Sequence, residues 1–190
     1  MTDGPYCVRA SASDETMKFF SEQKALKRLE AVISDLRSEI SDKYEHRAKS
    51  CSTCETRGAC CLDAHFVNVH ISRLEAAAIR RSLSKLSRTH REEIDARISL
   101  AIEKYSLKAE GDTFAQTYAC PLFEKGVGCL VHTDGKPVPC IVHACYETAD
   151  DLPPDELQVS AEKQIEVLNE RTYGCSRPLL PLPLALHGCR

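Results

Sequence analysis

The sequence predicts a mainly α-helical fold in which helices frame an irregular, cysteine-rich, metal-binding lobe. Three observations carry that expectation. Apolar residues recur at steps of three and four along much of the chain, the periodicity of amphipathic helices. Eight of the eleven cysteines fall in two short windows, 51–61 and 120–145. Turn formers gather in and around the second window, where Pro121, Gly126, Gly128, Gly135, Pro137 and Pro139 interrupt any helical pattern.

In chain order, residues 14–48 form the first element. Leu26, Leu29, Ile33, Leu36 and Ile40 make an apolar stripe separated by Lys, Glu, Asp and Arg, with no Pro or Gly inside. Such a stripe packs on the rest of the chain or pairs with a second copy. Residues 62–71, LDAHFVNVHI, are β-branched and aromatic and suggest a short extended run. Ser72 opens a helix to about 87, because Ser72-Arg-Leu-Glu75 is a capping box. A second helix over 89–108 carries Ile94, Ile98, Ala101, Ile102 and Tyr105 on one face, with Gly111 and Asp112 as stop signals. Residues 113–147 read as irregular. Pro153-Pro154-Asp155-Glu156 starts a last helix to about Arg171, with prolines and acids where a first turn favours them. The tail SRPLLPLPLALHGCR is expected to lie extended along an apolar groove. The organisation is thus 1–50, an N-terminal long helix; 51–150, a cysteine-rich metal- or cluster-binding core; and 151–190, a C-terminal helix and Pro/Leu-rich tail, all in one domain.

Composition narrows the function. The charged fraction of 28% beside 43% hydrophobic residues suits a soluble globular chain. No stretch is apolar enough for a membrane span and no signal sequence opens the chain. The expected compartment is therefore the reducing cytoplasm, where cysteines serve as metal ligands more often than as disulfides. A net charge of −3 gives no general attraction to nucleic acid. No G-x-S-x-G, phosphate loop, H-E-x-x-H or dinucleotide fingerprint occurs.

The first window reads Cys51-Ser-Thr-Cys54-Glu-Thr-Arg-Gly-Ala-Cys60-Cys61. A C-x-x-C pair aims two sulfurs at one point, as zinc and iron sites require. Cys60 and Cys61 are adjacent, so they feed two sites, two irons of one cluster, or one site and a structural role. The second window supplies Cys120, Cys129, Cys140 and Cys145. Eight thiolates are enough for two four-ligand sites, or for one cluster and a mixed site that borrows a histidine. Cys7, Cys175 and Cys189 are scattered and read as bystanders.

The order of these motifs resembles the YkgJ-like family, described as a putative zinc- or iron-chelating domain or as Fe–S-cluster-containing proteins. Cys51, Cys54, Cys60 and Cys61 fall on that family's cysteine knot, Glu75 on its helix glutamate, and Cys120-Pro121-Leu122-Phe123 on its CPF segment. Cys129, Lys136-Pro137, Cys140 and Cys145 complete the pattern. The knot here carries three extra residues before Cys60, His132 stands where Tyr is usual, and Ile141 stands where Arg is usual. The resemblance covers about 51–147 and implies metal or cluster binding without implying one reaction.

The function expected from these residues is an iron–sulfur-cluster-binding protein, of the 4Fe–4S type, acting as a redox or accessory partner of a modifying enzyme. Its ligands are Cys51, Cys54, Cys60, Cys61, Cys120, Cys129, Cys140 and Cys145. The alternatives are a structural zinc module for protein–protein interaction and a cluster-dependent enzyme. The expected partner is a protein, with no membrane and no nucleic acid, and with homodimerisation through 14–48 left open. His65, His70, His132 and His143 lie near the windows as candidate ligands or supporting donors, although ordinary histidines without a ligand role are the favoured reading. The basic run Arg80, Arg81, Lys85, Arg88, Arg91 reads as a solvated helix face, and Glu75 as a capping residue.

Overall fold

The computed structural model describes residues 19–49, 55, 58–62, 67–175 and 178–189. Cys7, Cys51, Cys54 and His65, with the expected start of the first helix at 14–18, lie outside the described residues. The helical expectation holds: seven α-helices and three two-stranded antiparallel ladders make up the described chain.

Helix α1 (Glu22–Lys43) is shorter at both ends than the 14–48 expected. Ser21 caps it by accepting the Lys24 N–H at 3.3 Å. The Phe20 N–H is held by the Arg171 carbonyl at 2.8 Å, which anchors the entry to the helix outside its own ladder. A single tight turn at 45–47 follows, then β1 (Ala48–Lys49). Ala25, Leu26, Leu29, Leu36 and Ile40 are buried, packed with residues of helices α3, α5 and α6 introduced below. Most of the apolar stripe is thereby used within the chain, with Ile33 only half-buried.

Helix α2 is one turn, Ala59–Leu62, so Leu62 is helical rather than the start of an extended run. The described remainder of that run narrows to β2 (His70–Ile71). Helix α3 (Arg73–Leu83) carries the expected capping box in full. Glu75 N–H donates to Ser72 Oγ at 3.2 Å, and the Ser72 N–H donates to Glu75 Oε2 at 2.8 Å. Ser72 and Glu75 are both buried. Replacing Ser72 with alanine is expected to cost about 1–2 kcal/mol, the usual value of a lost cap, read as a lower urea midpoint at unchanged slope.

Helix α4 (Arg88–Lys104) ends before the Gly111 stop signal. Ser106 takes a left-handed conformation, φ +51°, and the Leu107 N–H reaches back to the Ile102 carbonyl at 3.0 Å. Backbone carbonyls are thus satisfied by a Schellman-type closure without a glycine. The irregular segment that follows holds β3 (Phe123–Glu124), β4 (Gly128–Cys129), α5 (Val138–Val142) and β5 (Cys145–Tyr146). Helix α6 (Asp155–Tyr173) then runs as expected, closed by Gly174 in the left-handed region at φ +72°.

The tail is buried as expected but not extended. It forms β6 (Leu180–Pro181) and helix α7 (Leu182–Gly188). Pro181 caps that helix and Pro183 lies in its first turn, where a missing N–H leaves no bond unmade. Leu182, Pro183, Ala185 and Leu186 are buried.

Two apolar clusters organise the packing, and α3 divides them. Ala76, Ile79 and Leu83 face one, with Ile94, Ile98, Tyr118, Leu122 and Leu186. Leu74 and Ala78 face the other, with Leu29, Val138, Ile141 and Ile165. Cys120 and Cys129 pack on the first cluster, while Cys140 lies on α5, whose Val138 and Ile141 belong to the second. Cys120 and Cys129 thus border the first core, and the helix that carries Cys140 borders the second.

Candidate metal centre

The two cysteine windows meet at two seams. At one, the Cys120 N–H donates to the Cys61 carbonyl at 2.7 Å. At the other, β1 pairs with β5 so that Lys49, two residues before Cys51, stands opposite Cys145. A third contact locks the first seam. The Phe123 ring lies directly over Gly58, where a Cβ would overlap it, and Gly58 has φ +83°. Only a residue without a side chain tolerates both demands.

Cys120 is held from below by Tyr118, which is fully buried. The Tyr118 N–H donates to the Val67 carbonyl at 2.9 Å. Its hydroxyl donates to the Val69 carbonyl and accepts the Leu182 N–H at 3.1 Å. Beyond Cys120 the chain turns into the β3–β4 hairpin, which sets Phe123 opposite Cys129. The Phe123 N–H donates to the Cys120 carbonyl at 3.3 Å, which closes this turn.

The described thiols lie within one another's electrostatic reach. Burial pushes the Cys61 thiol well up, with Cys60, Cys120 and Cys129 adding to the effect. Burial also raises Cys120 to about 11, against the pull of the Leu122 and Phe123 N–H groups and Arg97. Burial raises Cys140 to about 12, and Lys136 pulls the other way. These are protonated thiols at neutral pH, in an environment that penalises charge without a cation to compensate it. Among the described residues, no group of three or more His, Cys, Asp or Glu side chains stands close enough to hold a metal ion.

The remaining sequence candidates separate. Cys60 is exposed and sits beside Cys61 on α2, while Cys145 is exposed on β5. His132 and His143 are exposed, and burial and the nearby Lys136 and Arg37 lower the pKa of His132. His70 is buried in β2, with Nδ1 2.7 Å from the Asn68 carbonyl and its ring stacked on Phe114. Cys189 Sγ lies 3.9 Å from the Arg73 carbonyl. Cys175, read as a bystander thiol, is buried and disulfide-bonded.

The basic run is committed within the chain. Arg80 donates to the Leu186 carbonyl from Nε (3.2 Å) and Nη2 (2.9 Å), and its Nη1 meets Asp95 at 2.5 Å. Arg81 pairs with Glu30, Lys85 with Asp134, and Arg88 with Glu92. Arg91 reaches the Ser84 carbonyl at 3.3 Å. These residues tie helices together and extend the solvated-face reading.

Glu75 does more than cap. Its Oε1 also accepts the Val138 N–H at 3.4 Å, so the capping carboxylate joins α3 to the helix that carries Cys140. Burial raises its pKa against these hydrogen bonds. Two further residues escaped the sequence reading. Arg97 and Tyr146 each bury a polar atom, Nε and the hydroxyl, that has no hydrogen-bond partner. Arg97 adjoins Phe123, and Tyr146 follows Cys145. Neither carries a motif that could have marked it.

No protein-family model, curated protein or solved structure matches the chain. The likeness to the YkgJ-like family rests on the order of its cysteines and motifs alone.

Proposed function

We propose that the chain binds an iron–sulfur cluster through thiolates drawn from both windows and serves as a redox or accessory partner of a modifying enzyme. The ligands are drawn from Cys51, Cys54, Cys60, Cys61, Cys120, Cys129, Cys140 and Cys145. The observation that carries this reading is the closure of the windows at the Cys61–Cys120 backbone bond and the Lys49–Cys145 pairing. Those contacts join segments far apart in sequence that share no regular element other than two-residue ladders.

The residue chemistry fits such an occupant. Cys61, Cys120 and Cys140 are half-buried thiols whose surroundings penalise a bare thiolate, so a bound cation would be what holds them ionised. When bound, a cluster would supply one-electron chemistry. The chain's own residues would ligate it, bury it between the two cores and compensate its charge. Thiolate ligands of this kind persist in the reducing cytoplasm.

Anaerobic purification followed by iron, sulfide and zinc analysis tests the reading. The expected result is iron with sulfide and visible absorption, which a zinc site lacks. Cys120→Ser is expected to lose most of the metal, and Cys189→Ser to retain it. A colourless protein with stoichiometric zinc would shift the assignment to the structural zinc module. A folded protein that takes up neither metal would end both.

A further inference from the structure

We propose that the cleft between α1, α3 and the loop at 133–137 binds a zwitterionic small molecule, an α-amino acid with a branched apolar side chain. The proposal does not depend on any metal.

The cleft has a volume of about 250 Å³. That is just under the roughly 300–1,000 Å³ of sites for drug-sized ligands, and it suits a molecule of amino-acid size. Its loop wall is fixed from both helices. Arg37 of α1 donates to the Thr133 carbonyl from Nη1 (2.7 Å) and to the His132 carbonyl from Nη2 (2.9 Å). Lys85, just beyond α3, pairs with Asp134. Gly135 has φ +92°, and a Cβ there would stand 3.3 Å from Ile79 Cα, so the loop backbone lies against α3. The cleft is therefore formed before any ligand arrives.

Its lining offers three kinds of surface. Leu29, Ile33, Ala78 and Pro137 are apolar. Among the charged groups, Arg81 is paired with Glu30 and Asp134 with Lys85. Three charges remain uncompensated. Arg37 spends its donors on neutral carbonyls. Lys136 has no hydrogen-bond or ion-pair partner among the described residues. Glu75, the only buried carboxylate among them, is met by neutral donors alone: the Ser72 N–H and hydroxyl and the Val138 N–H. Its Oε1 accepts only the Val138 N–H, at 3.4 Å, and a carboxylate oxygen has room for a second donor.

Two cations without an anion, one carboxylate without a cation, and an apolar wall beside them complement a molecule with one carboxylate, one ammonium and a compact hydrocarbon side chain. The ligand carboxylate would meet Lys136 and Arg37, and its ammonium would meet Glu75. The side chain would cover Leu29 and Ile33. A simple anion leaves Glu75 unanswered, and a simple amine leaves Lys136 unanswered, so the lining favours the zwitterion over either half.

The test uses the full chain as purified and L-leucine as the probe, titrated by amide NMR. Saturable binding is expected, with the Gly135 amide among those that move. Isocaproate, which lacks the ammonium, and isoamylamine, which lacks the carboxylate, are each expected to bind at least tenfold more weakly. Lys136→Gln is expected to lower leucine affinity at least tenfold at unchanged melting temperature. Ser34→Trp, which adds a ring to the cleft from an exposed position of α1, is expected to abolish binding. Lys43→Gln, at an exposed pair with Glu39 outside the cleft, is expected to bind as the wild type does. Isocaproate binding as tightly as leucine would overturn the zwitterion in favour of a plain carboxylate. Wild-type affinity in both Lys136→Gln and Ser34→Trp would place leucine elsewhere and overturn the site. Absence of saturable leucine binding would overturn the proposal outright, and none of these outcomes bears on the metal reading.

Discussion

Gly58→Ala is expected to destabilise the chain by roughly 3 kcal/mol, a large share of the about 5–15 kcal/mol that holds an ordinary domain folded. Two independent costs add. Gly58 has φ +83°, and placing an L side chain in the left-handed region costs about 1–2 kcal/mol. The new methyl also meets the Phe123 ring, and overpacking of this kind costs about 1–3 kcal/mol. The ring can respond only by leaving the surface formed by Gly58, which pulls on β3 and through it on Cys129.

Urea unfolding measures the total, and a double-mutant cycle separates its parts. Phe123→Ala removes the ring and has its own cost in lost packing. In the Phe123→Ala background, Gly58→Ala should retain only the backbone penalty, so the two changes should cost less together than their sum. Strict additivity would show that the ring and the glycine do not hold the windows together. Metal uptake should fall with Gly58→Ala although no ligand has been touched.

Much of this arrangement was legible in the sequence because local chemistry dictates it. The Leu26, Leu29, Leu36 and Ile40 stripe buries α1 as its period requires, and the Ser72–Glu75 box starts α3 where the two side chains can satisfy each other. The Asp155 start of α6 follows from Pro153 and Pro154. Helix ends were less legible. Ser106 ends α4 by adopting a conformation that composition does not favour, with glycine available five residues later. Pro181 and Pro183 looked like obstacles to helix in the tail, yet their positions at the start of α7 are those a helix accepts. The least legible features are the pairings between distant segments. Nothing in the periodicity around Arg97 or Gly58 points to the Cys120–Phe123 turn, because both contacts are fixed by how α4 and α2 pack on the hairpin. His132 and His143 are exposed, as ordinary loop histidines would be.

The metal-free chain is expected to lose stability as pH rises above about 9, and metal loading is expected to abolish that loss. The thiols of Cys120 and Cys140 have an ordinary value of 9.0, and burial raises them to about 11 and about 12 in the fold. Below pH 9 the folded and unfolded chains both keep these protons, and the stability associated with the neutral thiols is fully present. Between about 9 and 11 the unfolded chain releases protons that the folded chain retains. Unfolding is then favoured by about 1.4 kcal/mol per pH unit for each such thiol. The contribution is lost completely once pH passes the folded values. Cys61 shifts in the same direction and steepens the fall. Urea unfolding of reduced, metal-free protein across this range, compared with a Cys120→Ser/Cys140→Ser variant, reads the slope directly. The variant should be the flatter of the two, and parallel slopes would show that these thiols do not carry the effect. A metal held by the same sulfurs has already displaced their protons. Loaded protein should therefore show no thiol-dependent fall, and loading near neutral pH should release protons into the buffer, with apparent affinity rising as pH increases. Metal uptake without proton release would place the metal on groups other than these buried thiols.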